Sequence, residues 1–477
     1  MASDFLTSLI GSVENEKLRT DFRFFIKKSF EYTNPKTDLI WNWHIDCISE
    51  YLLACIKYNQ IRKLIINVSP RTTKSIICSQ SLPAFCLGLE PAFKFIGISH
   101  SEDVALENSV KTRQLVESDW YKNTFPETIL ASDQNQKSRF DTTQNGYRIA
   151  TTTGRGAAGK GADLIVADDY LNTKMALSML ERETALSDFG PNVVTRLNDK
   201  EKGIIIIIEQ RLHDRDLTGK LIAENQGYTH LVLPAKFDER KTISFGNFHR
   251  EVGEGELLDP IRLSQPILDD LKKSLGTDQF VGQFMQSPVA AGGNMIKLHW
   301  FRRIALEIMR LTKYDTKVVC LDSAYKADQL NDPSAMGCFG IKGEDFDLID
   351  VVCERMEYPE LKRRFKAFLD HHKPDYVLIE DKASGQSLIQ ELRQETGYSI
   401  IAIKPEGDKI MRLSNGSAIV EAGRMSLPDQ ADWLCDFENE VTKFPKAAHD
   451  DQVDMLSMFL NWFKNRVAEF EFFAVKI

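Results

Sequence analysis

A train of short apolar runs separated by amphipathic stretches is the feature that most constrains this 477-residue chain. The runs are Lys63–Val68 (KLIINV), Lys94–Ile98, Tyr147–Thr151, Leu164–Ala167 and Gly203–Ile208. Each is strand-sized. Between them, stretches such as Asp103–Glu117 and Ala176–Asp188 carry apolar residues at helical spacing. Apolar strands that alternate with helices predict a mostly parallel sheet covered on both faces. Before residue 60, segments such as DFRFFIKKSF and HIDCISEYLLACIKY read as helices. From Leu233 to Trp300 the pattern loosens and reads as a connection.

A second rhythm begins near Thr316. KVVCLD is a strand that ends in an acid, and MGCFGIKGEDFDLIDVV reads as two strands around a turn at Lys342–Asp345. A helix (Pro359–His371), a strand (Tyr376–Ile379), a helix (Gln386–Thr396), a strand (Ile400–Ile403) and a last helix (Asp451–Asn465) follow. Three early strands and then alternating helices and strands is the order of a ribonuclease-H-like fold. Length alone suggests about three domains, but the two rhythms argue for two. The expected organisation is an α/β domain at 1–235 with a helical part at 1–60, a connecting region at 236–305, and a mixed-sheet domain at 306–477.

Composition narrows the class. With 43% hydrophobic and 27% charged residues the chain reads as a soluble globular protein. Its longest apolar run, Ile204–Ile208, is far short of the roughly 18 residues of a membrane span. The N-terminal segment has no basic start, so no signal peptide is expected. The 8 cysteines stand singly, in no zinc spacing, as expected in a reducing cytoplasm. A net charge of −9 disfavours static, tight DNA binding but suits a motor that releases its track.

The strand KLIINV runs into Ser69-Pro70-Arg71-Thr72-Thr73-Lys74-Ser75. A phosphate-binding loop needs inward N–H groups, a lysine for the outer phosphates and a hydroxyl for Mg²⁺. Lys74 and Ser75 supply the last two, while Val68 and Thr73 stand where glycines are usual. Alone, the segment fails the generic pattern and reads more readily as a polar strand-to-helix turn. Further on, DLIVADD ends an apolar strand in Asp168 and Asp169, one suited to hold magnesium and the next to orient the attacking water. Between these motifs, Thr153–Gly161 holds four glycines with Arg155 and Lys160, which suits a mobile loop near phosphates or DNA and equally a plain flexible loop. IEQRLHD then ends a strand in Glu209 and Gln210, where such ATPases sense the terminal phosphate.

In the second half Asp322 ends one strand and Glu380 and Asp381 end another. Asp450, Asp451 and Asp454 open the last helix, where three-to-four spacing places pairs of them on one face. Acids gathered in this way repel unless cations lie among them. Their hard oxygens suit Mg²⁺ or Mn²⁺ and two-metal phosphodiester chemistry.

From Trp41 to Leu460 these pieces resemble the terminase large subunits of tailed bacteriophages and prophages. WNWHIDCI resembles the segment before the phosphate loop, which contributes to the adenine pocket in that family. VSPRTTKS resembles the family's glycine-relaxed Walker A, with Arg71 a candidate γ-phosphate contact, and DLIVADDY resembles its Walker B. The water-orienting acid is Asp169 or another residue such as Glu209. QRLHDRDLTG resembles the coupling segment, and QFMQSP with Gly292 and Gly293 the junction before the nuclease. IEDKASGQSLIQEL and HDDQVDMLS resemble the second and third nuclease motifs.

The resemblance implies an ATPase and metal-dependent endonuclease. ATP and Mg²⁺ would bind at Pro70, Arg71, Thr72, Thr73, Lys74, Ser75, Asp168 and Gln210, and Mg²⁺ or Mn²⁺ at Asp322, Glu380 or Asp381, and Asp450, Asp451 or Asp454. It implies double-stranded DNA, a small terminase subunit and the portal of a procapsid as partners, an oligomeric ring on the portal, no membrane, and action in the host cytoplasm. Two rivals are a helicase of another P-loop superfamily, which leaves the acids at Asp322 and Asp454 unexplained, and a non-catalytic prophage remnant.

Overall fold

The computed structural model describes residues 2–155, 159–288, 295–323, 333–447 and 449–474, with backbone alone at 2–10, 383–384 and 467–474. The chain forms two units, Met1–Asp269 with Asp278–Ala291 and Asp270–Thr277 with Gly292–Ile477. The loosely patterned stretch after Leu233 is thus shared: most of it up to Ala291 clusters with the first unit.

The first unit is built on β1 (Lys63–Val68), β2 (Lys94–Ser99), β3 (Leu130–Asn135), β4 (Arg139–Thr142), β5 (Tyr147–Thr152), β6 (Leu164–Asp168), β7 (Ile204–Glu209) and β8 (Thr229–Leu233). Their order in the sheet is β3-β4-β5-β2-β6-β7-β1-β8. From β5 to β8 every neighbouring pair is parallel, while β3 and β4 add an antiparallel edge. The continuous apolar runs have a direct cause. Leu64, Ile66 and Val68 face one core with Ile204, Ile206 and Ile208, while Ile65 faces the other with Ile205 and Ile207. A strand buried on both faces has no polar position to alternate with.

Two details depart from the expectations. The helix placed at Ala176–Asp188 is two, Thr173–Leu177 and Met179–Asn192, because Ser178 turns extended and its side chain accepts the N–H of Glu181 as an N-cap. A hairpin, β9 (Lys241–Phe245) and β10 (Phe248–Val252), lies in the stretch read as a connection. It packs on the helix Trp43–Ile56, with Tyr51 stacked on Phe245 and Trp43 on Phe248.

The second unit holds β11 (Arg302–Ile304), β12 (Thr316–Asp322), β13 (Ser334–Lys342), β14 (Asp345–Glu354), β15 (Tyr376–Glu380), β16 (Ile400–Ile403) and β17 (Met425–Pro428), in the order β11-β17-β14-β13-β12-β15-β16. β12, β13 and β14 form an antiparallel meander, and β15 and β16 add to β12 in parallel. This is the mixed sheet the second rhythm predicts. The last helix, Asp451–Ala474, covers one face through Val453, Leu456, Phe459, Leu460 and Phe463. Phe339 and Phe459 stack at 3.8 Å. Of the cysteines, Cys47, Cys55, Cys78, Cys86, Cys320 and Cys338 are buried, as expected of small core hydrophobes.

Candidate functional sites

Three neighbouring strands of the first sheet end level with one another. Asn67 of β1 pairs with Glu209 of β7, and Ile208 of β7 with Asp168 of β6. Ligands of open parallel sheets lie beyond the carboxyl ends of the strands, and here the candidate loop, acids and Gln210 all leave that edge.

After β1 the chain turns through Pro70–Thr73 with Arg71 at φ 64° and Thr73 at φ 69°. Thr73 stands where a phosphate loop has its second glycine, so the left-handed backbone is kept without the residue that adopts it freely. Other contacts hold the turn. Thr72 is buried, its hydroxyl donating to Ser69 O at 2.8 Å, and His44 Nε2 lies 3.1 Å from Thr72 O. Arg262 reaches Thr73 Oγ1 and is paired with Asp259. Alternating left-handed residues turn successive N–H groups to one side, the cradle that binds anions. Arg71 itself is exposed and Pro70 half-buried.

Lys74 and Ser75 face the acids. Lys74 Nζ is 2.6 Å from Asp169 Oδ1, and Ser75 Oγ donates to Asp168 Oδ1 at 3.1 Å. Ser79, which nothing in the sequence singled out, donates to Asp168 Oδ2 at 2.7 Å. Burial, and then the charge of Asp169, raise the Asp168 carboxyl to about 6, against the pull of Lys74. A second positive group is the physical remedy for such a carboxylate, so Asp168 and Ser75 fit a magnesium ion beside bound phosphates.

The segment after β7 forms one bonded loop. Gln210 N–H donates to Asp169 Oδ1 at 3.3 Å, and its side-chain Oε1 is buried without a partner among the described residues. Asp216 accepts from Arg211 Nε, Leu212 N–H and Gly219 N–H, capping the helix Leu217–Ala223. Gly219 is required because a Cβ there would sit 1.9 Å from Asp214 O. Glu209 is buried and accepts both Thr218 N–H and Thr218 Oγ1–H, so it faces that helix and not Asp169. Burial, then the charge of Asp216, push its carboxyl up to about 8. From QFMQSP, Gln286 accepts Arg211 N–H and Phe284 O accepts Ser69 Oγ–H, tying this stretch to both the loop after β7 and the base of the candidate phosphate loop. Gly292, Gly293 and residues 156–158 of the glycine-rich loop lie outside the described residues. Arg155 is exposed and paired with Glu102. Trp41 and Trp43 pack against the core, with Arg250 over Trp43.

In the second unit Asp322 and Glu380 end adjacent parallel strands, since Leu321 pairs with Ile379. The helix that starts at Asp451 brings Asp451 and Asp454 to them. Its first turn is capped from a distance: Glu440 accepts the N–H groups of Gln452 and Val453. Gly385 lets the helix Ala383–Glu395 start against the end of β15, since a Cβ would lie 2.0 Å from Glu380 O. Asp322, Glu380, Asp451 and Asp454 are all buried. Burial raises the Asp322 carboxyl well above its usual value, and Asp454, Glu380 and Asp451 add to the rise.

Three cations answer this charge. Lys409 lies 2.5 Å from Asp450 and 2.8 Å from Asp454, Arg412 lies 2.5 Å from Asp454, and Lys382 lies 2.8 Å from Glu380. Among the described residues no three acid, thiol or imidazole side chains already stand in a metal-holding arrangement. The fit to a divalent ion is in the donor set, four buried carboxylates that repel one another at one sheet edge. Asp381 is half-buried, one residue past β15, its N–H donating to Ile403 O. Asp450 lies before the helix and faces Lys409, outside the buried four.

A family model described as the terminase RNaseH-like domain matches residues 319–463. Among solved structures, the large terminase of a thermophilic bacteriophage is 13% identical over 86% of this chain and 98% of that chain, with a TM-score of 0.50. The same protein in complex with ATP-gamma-S gives the same values. The large terminase nuclease from thermophilic phage G20c with bound magnesium is 14% identical over 36% of this chain and 98% of that chain, with a TM-score of 0.28. A comparison with curated proteins finds no match. Both units therefore have the fold of a phage large terminase, a parallel-rich sheet followed by a ribonuclease-H-like mixed sheet.

Proposed function

We propose that the chain is a phage terminase large subunit, an ATP-hydrolysing motor that moves double-stranded DNA into a procapsid and cuts it with a metal-dependent nuclease. The observation that carries this reading is the pairing of two separate acid-bearing sheet edges in one chain. One joins Lys74, Ser75, Asp168 and Asp169 at a phosphate-type loop. The other gathers Asp322, Glu380, Asp451 and Asp454 at the strand ends of a domain matching the terminase nuclease model.

In the first site the loop N–H groups and Lys74 would bind the outer phosphates, and Asp169 would orient water. Glu209 is the weaker candidate for that role, because Thr218 holds its carboxyl away from Asp169. Magnesium bound there would neutralise the phosphate charge that builds in the transition state. Gln210, bonded to Asp169 and continuous with the loop to Asp216, would carry the change at the nucleotide into the helix Leu217–Ala223.

In the second site Asp322, Glu380, Asp451 and Asp454 would hold Mg²⁺ or Mn²⁺, which when bound activates water and stabilises the leaving oxygen of a phosphodiester. Lys382, Lys409 and Arg412, now on the carboxylates, would meet the DNA phosphates. A complex held mainly by backbone phosphates is independent of sequence and weakens with salt. A small terminase subunit and the portal, on which copies form a ring in the host cytoplasm, complete the proposal.

The deciding experiment is cleavage of supercoiled plasmid with Mg²⁺ or Mn²⁺, with ATP hydrolysis measured on the same preparations. The parent should nick and linearise the plasmid and hydrolyse ATP. Asp322→Ala should lose only cleavage, and Lys74→Ala only hydrolysis. A folded parent that does neither would leave the remnant reading standing, and hydrolysis without cleavage would favour a translocase of another class.

A further inference from the structure

We propose that Ser79 is a positioning residue of the nucleotide site, fixing the Asp168 carboxylate, and that the buried Arg148 in turn fixes Ser79. The inference rests on the ATPase reading above.

Ser79 lies in a π-helical turn, Ile76–Ser81, that continues from Lys74 and Ser75 and leads into the helix Leu82–Leu89. Its mark is the Leu82 N–H, which donates to Ile77 O, one residue further back than in an α-helix. Such wide turns concentrate at functional positions. Ser75 and Ser79 are four residues apart and share a face. Their hydroxyls take the two oxygens of Asp168 separately, Ser75 on Oδ1 at 3.1 Å and Ser79 on Oδ2 at 2.7 Å.

The two bonds have different fates. In a phosphate-loop ATPase the hydroxyl after the lysine is given to magnesium, so Ser75 has a second duty. Ser79 has none, is 3% exposed, and makes the shorter bond. It is the group able to hold Asp168 in one rotamer throughout, leaving Oδ1 free to face the ion.

Ser79 is held through its own carbonyl. Four residues on stands Pro83, which has no N–H to offer Ser79 O, and that carbonyl accepts Arg148 Nη2–H at 3.2 Å. Arg148 is 1% exposed, on β5, with its guanidinium over the Phe95 ring. Among the described residues no carboxylate pairs with it, and its Nε and Nη1 have no partner. Burial pulls the guanidinium down to about 9. An unpaired buried charge is destabilising, and an apolar residue of similar length is commonly neutral or better for stability. Among the described residues, the one hydrogen bond of the Arg148 side chain is to the turn that carries Ser79.

The test is ATP hydrolysis by the full chain and by Ser79→Ala, Ser79→Thr and Arg148→Met, titrated separately with ATP and with Mg²⁺. Loss of one hydrogen bond to a charged group should lower kcat about tenfold in Ser79→Ala. The Mg²⁺ concentration for half activity should rise while KM for ATP at saturating Mg²⁺ stays unchanged. Ser79→Thr, which keeps the hydroxyl, should restore both. Arg148→Met should shift kcat and Mg²⁺ dependence in the same direction with Tm equal to or above that of the parent, which a purely structural arginine would not do. Parent-like hydrolysis in Ser79→Ala and Arg148→Met overturns the inference and leaves the ATPase reading intact. So does a fall in kcat that tracks a fall in Tm, with no Mg²⁺ shift and no rescue by threonine. A folded parent without ATPase activity overturns both.

Discussion

Replacing Thr73 by glycine is expected to make the first unit more stable, although it removes side-chain atoms. Thr73 is held at φ 69°. A left-handed backbone costs an L-residue roughly 1–2 kcal/mol, and a β-branched residue lies at the upper end. Glycine adopts it freely but gives back roughly 0.5–1 kcal/mol in unfolded-chain entropy. The hydroxyl's contact with Arg262, at 3.5 Å, is at the limit of a hydrogen bond and offsets little. The net gain is about 1 kcal/mol, or about 2–4 °C in Tm for a domain of this size. Urea and thermal unfolding followed by tryptophan fluorescence, to which Trp41, Trp43 and Trp120 of the first unit contribute, would measure it. Thr72→Gly is the control: Thr72 is buried, donates to Ser69 O and has no left-handed backbone, so this change should destabilise by about 1 kcal/mol. A Thr73→Gly protein no more stable than the parent, or one that fell in step with Thr72→Gly, would refute backbone strain at Thr73.

Further expectations follow from other contacts. The buried Glu209 carboxyl, raised from 4.5 to about 8, keeps a proton that the unfolded chain gives up. Its stabilising contribution is complete below pH 4.5 and lost as pH rises through about 8, so Glu209→Gln should flatten the decline of urea midpoints over that window; equal slopes would contradict this. Gly385→Ala places a Cβ 2.0 Å from Glu380 O and should cost the second unit roughly 1–3 kcal/mol, with loss of plasmid cleavage; a parent-like melt would count against the close approach. Lys409→Gln removes the ammonium from Asp450 and Asp454 and should tighten Mn²⁺ binding measured by calorimetry; weaker binding would show that the lysine does not compete with the ion.

The parts legible in the sequence were those whose signal is local. A strand buried on both faces must be apolar throughout, so β1, β6, β7 and β12 declare themselves, and an acid directly after such a strand is exceptional enough to notice. β3 (LASDQN) is polar and largely exposed and gives no such signal. The helix Lys409–Glu421 and β17 also passed unread, and with them Lys409 and Arg412, which meet Asp454 only through tertiary packing. Glu440 caps a helix that begins eleven positions later, a partnership no local pattern encodes. The phosphate loop is the instructive case. Its missing glycines argued against it, yet the glycine-type backbone is present at Thr73, held by neighbours as distant as His44 and Arg262. Ser79 and Arg148 could have been found only by noticing an arginine within the otherwise apolar-facing strand Tyr147–Thr152.

β7 lies between the two strands that carry the halves of the proposed nucleotide site, with β1 on one side and β6 on the other. Its five consecutive isoleucines, Ile204–Ile208, are all buried. β-Branched side chains have little rotamer freedom, and a close-packed interior transmits strain with little compression. Mechanically β7 is a stiff rod clamped along both flanks, with Glu209 and Gln210 as its protruding tip. Work done on Asp169 or the phosphate loop has little elastic slack there in which to dissipate. Under the proposed function it would leave the sheet through the tip, as a displacement of the loop that Asp216 and Arg211 hold together.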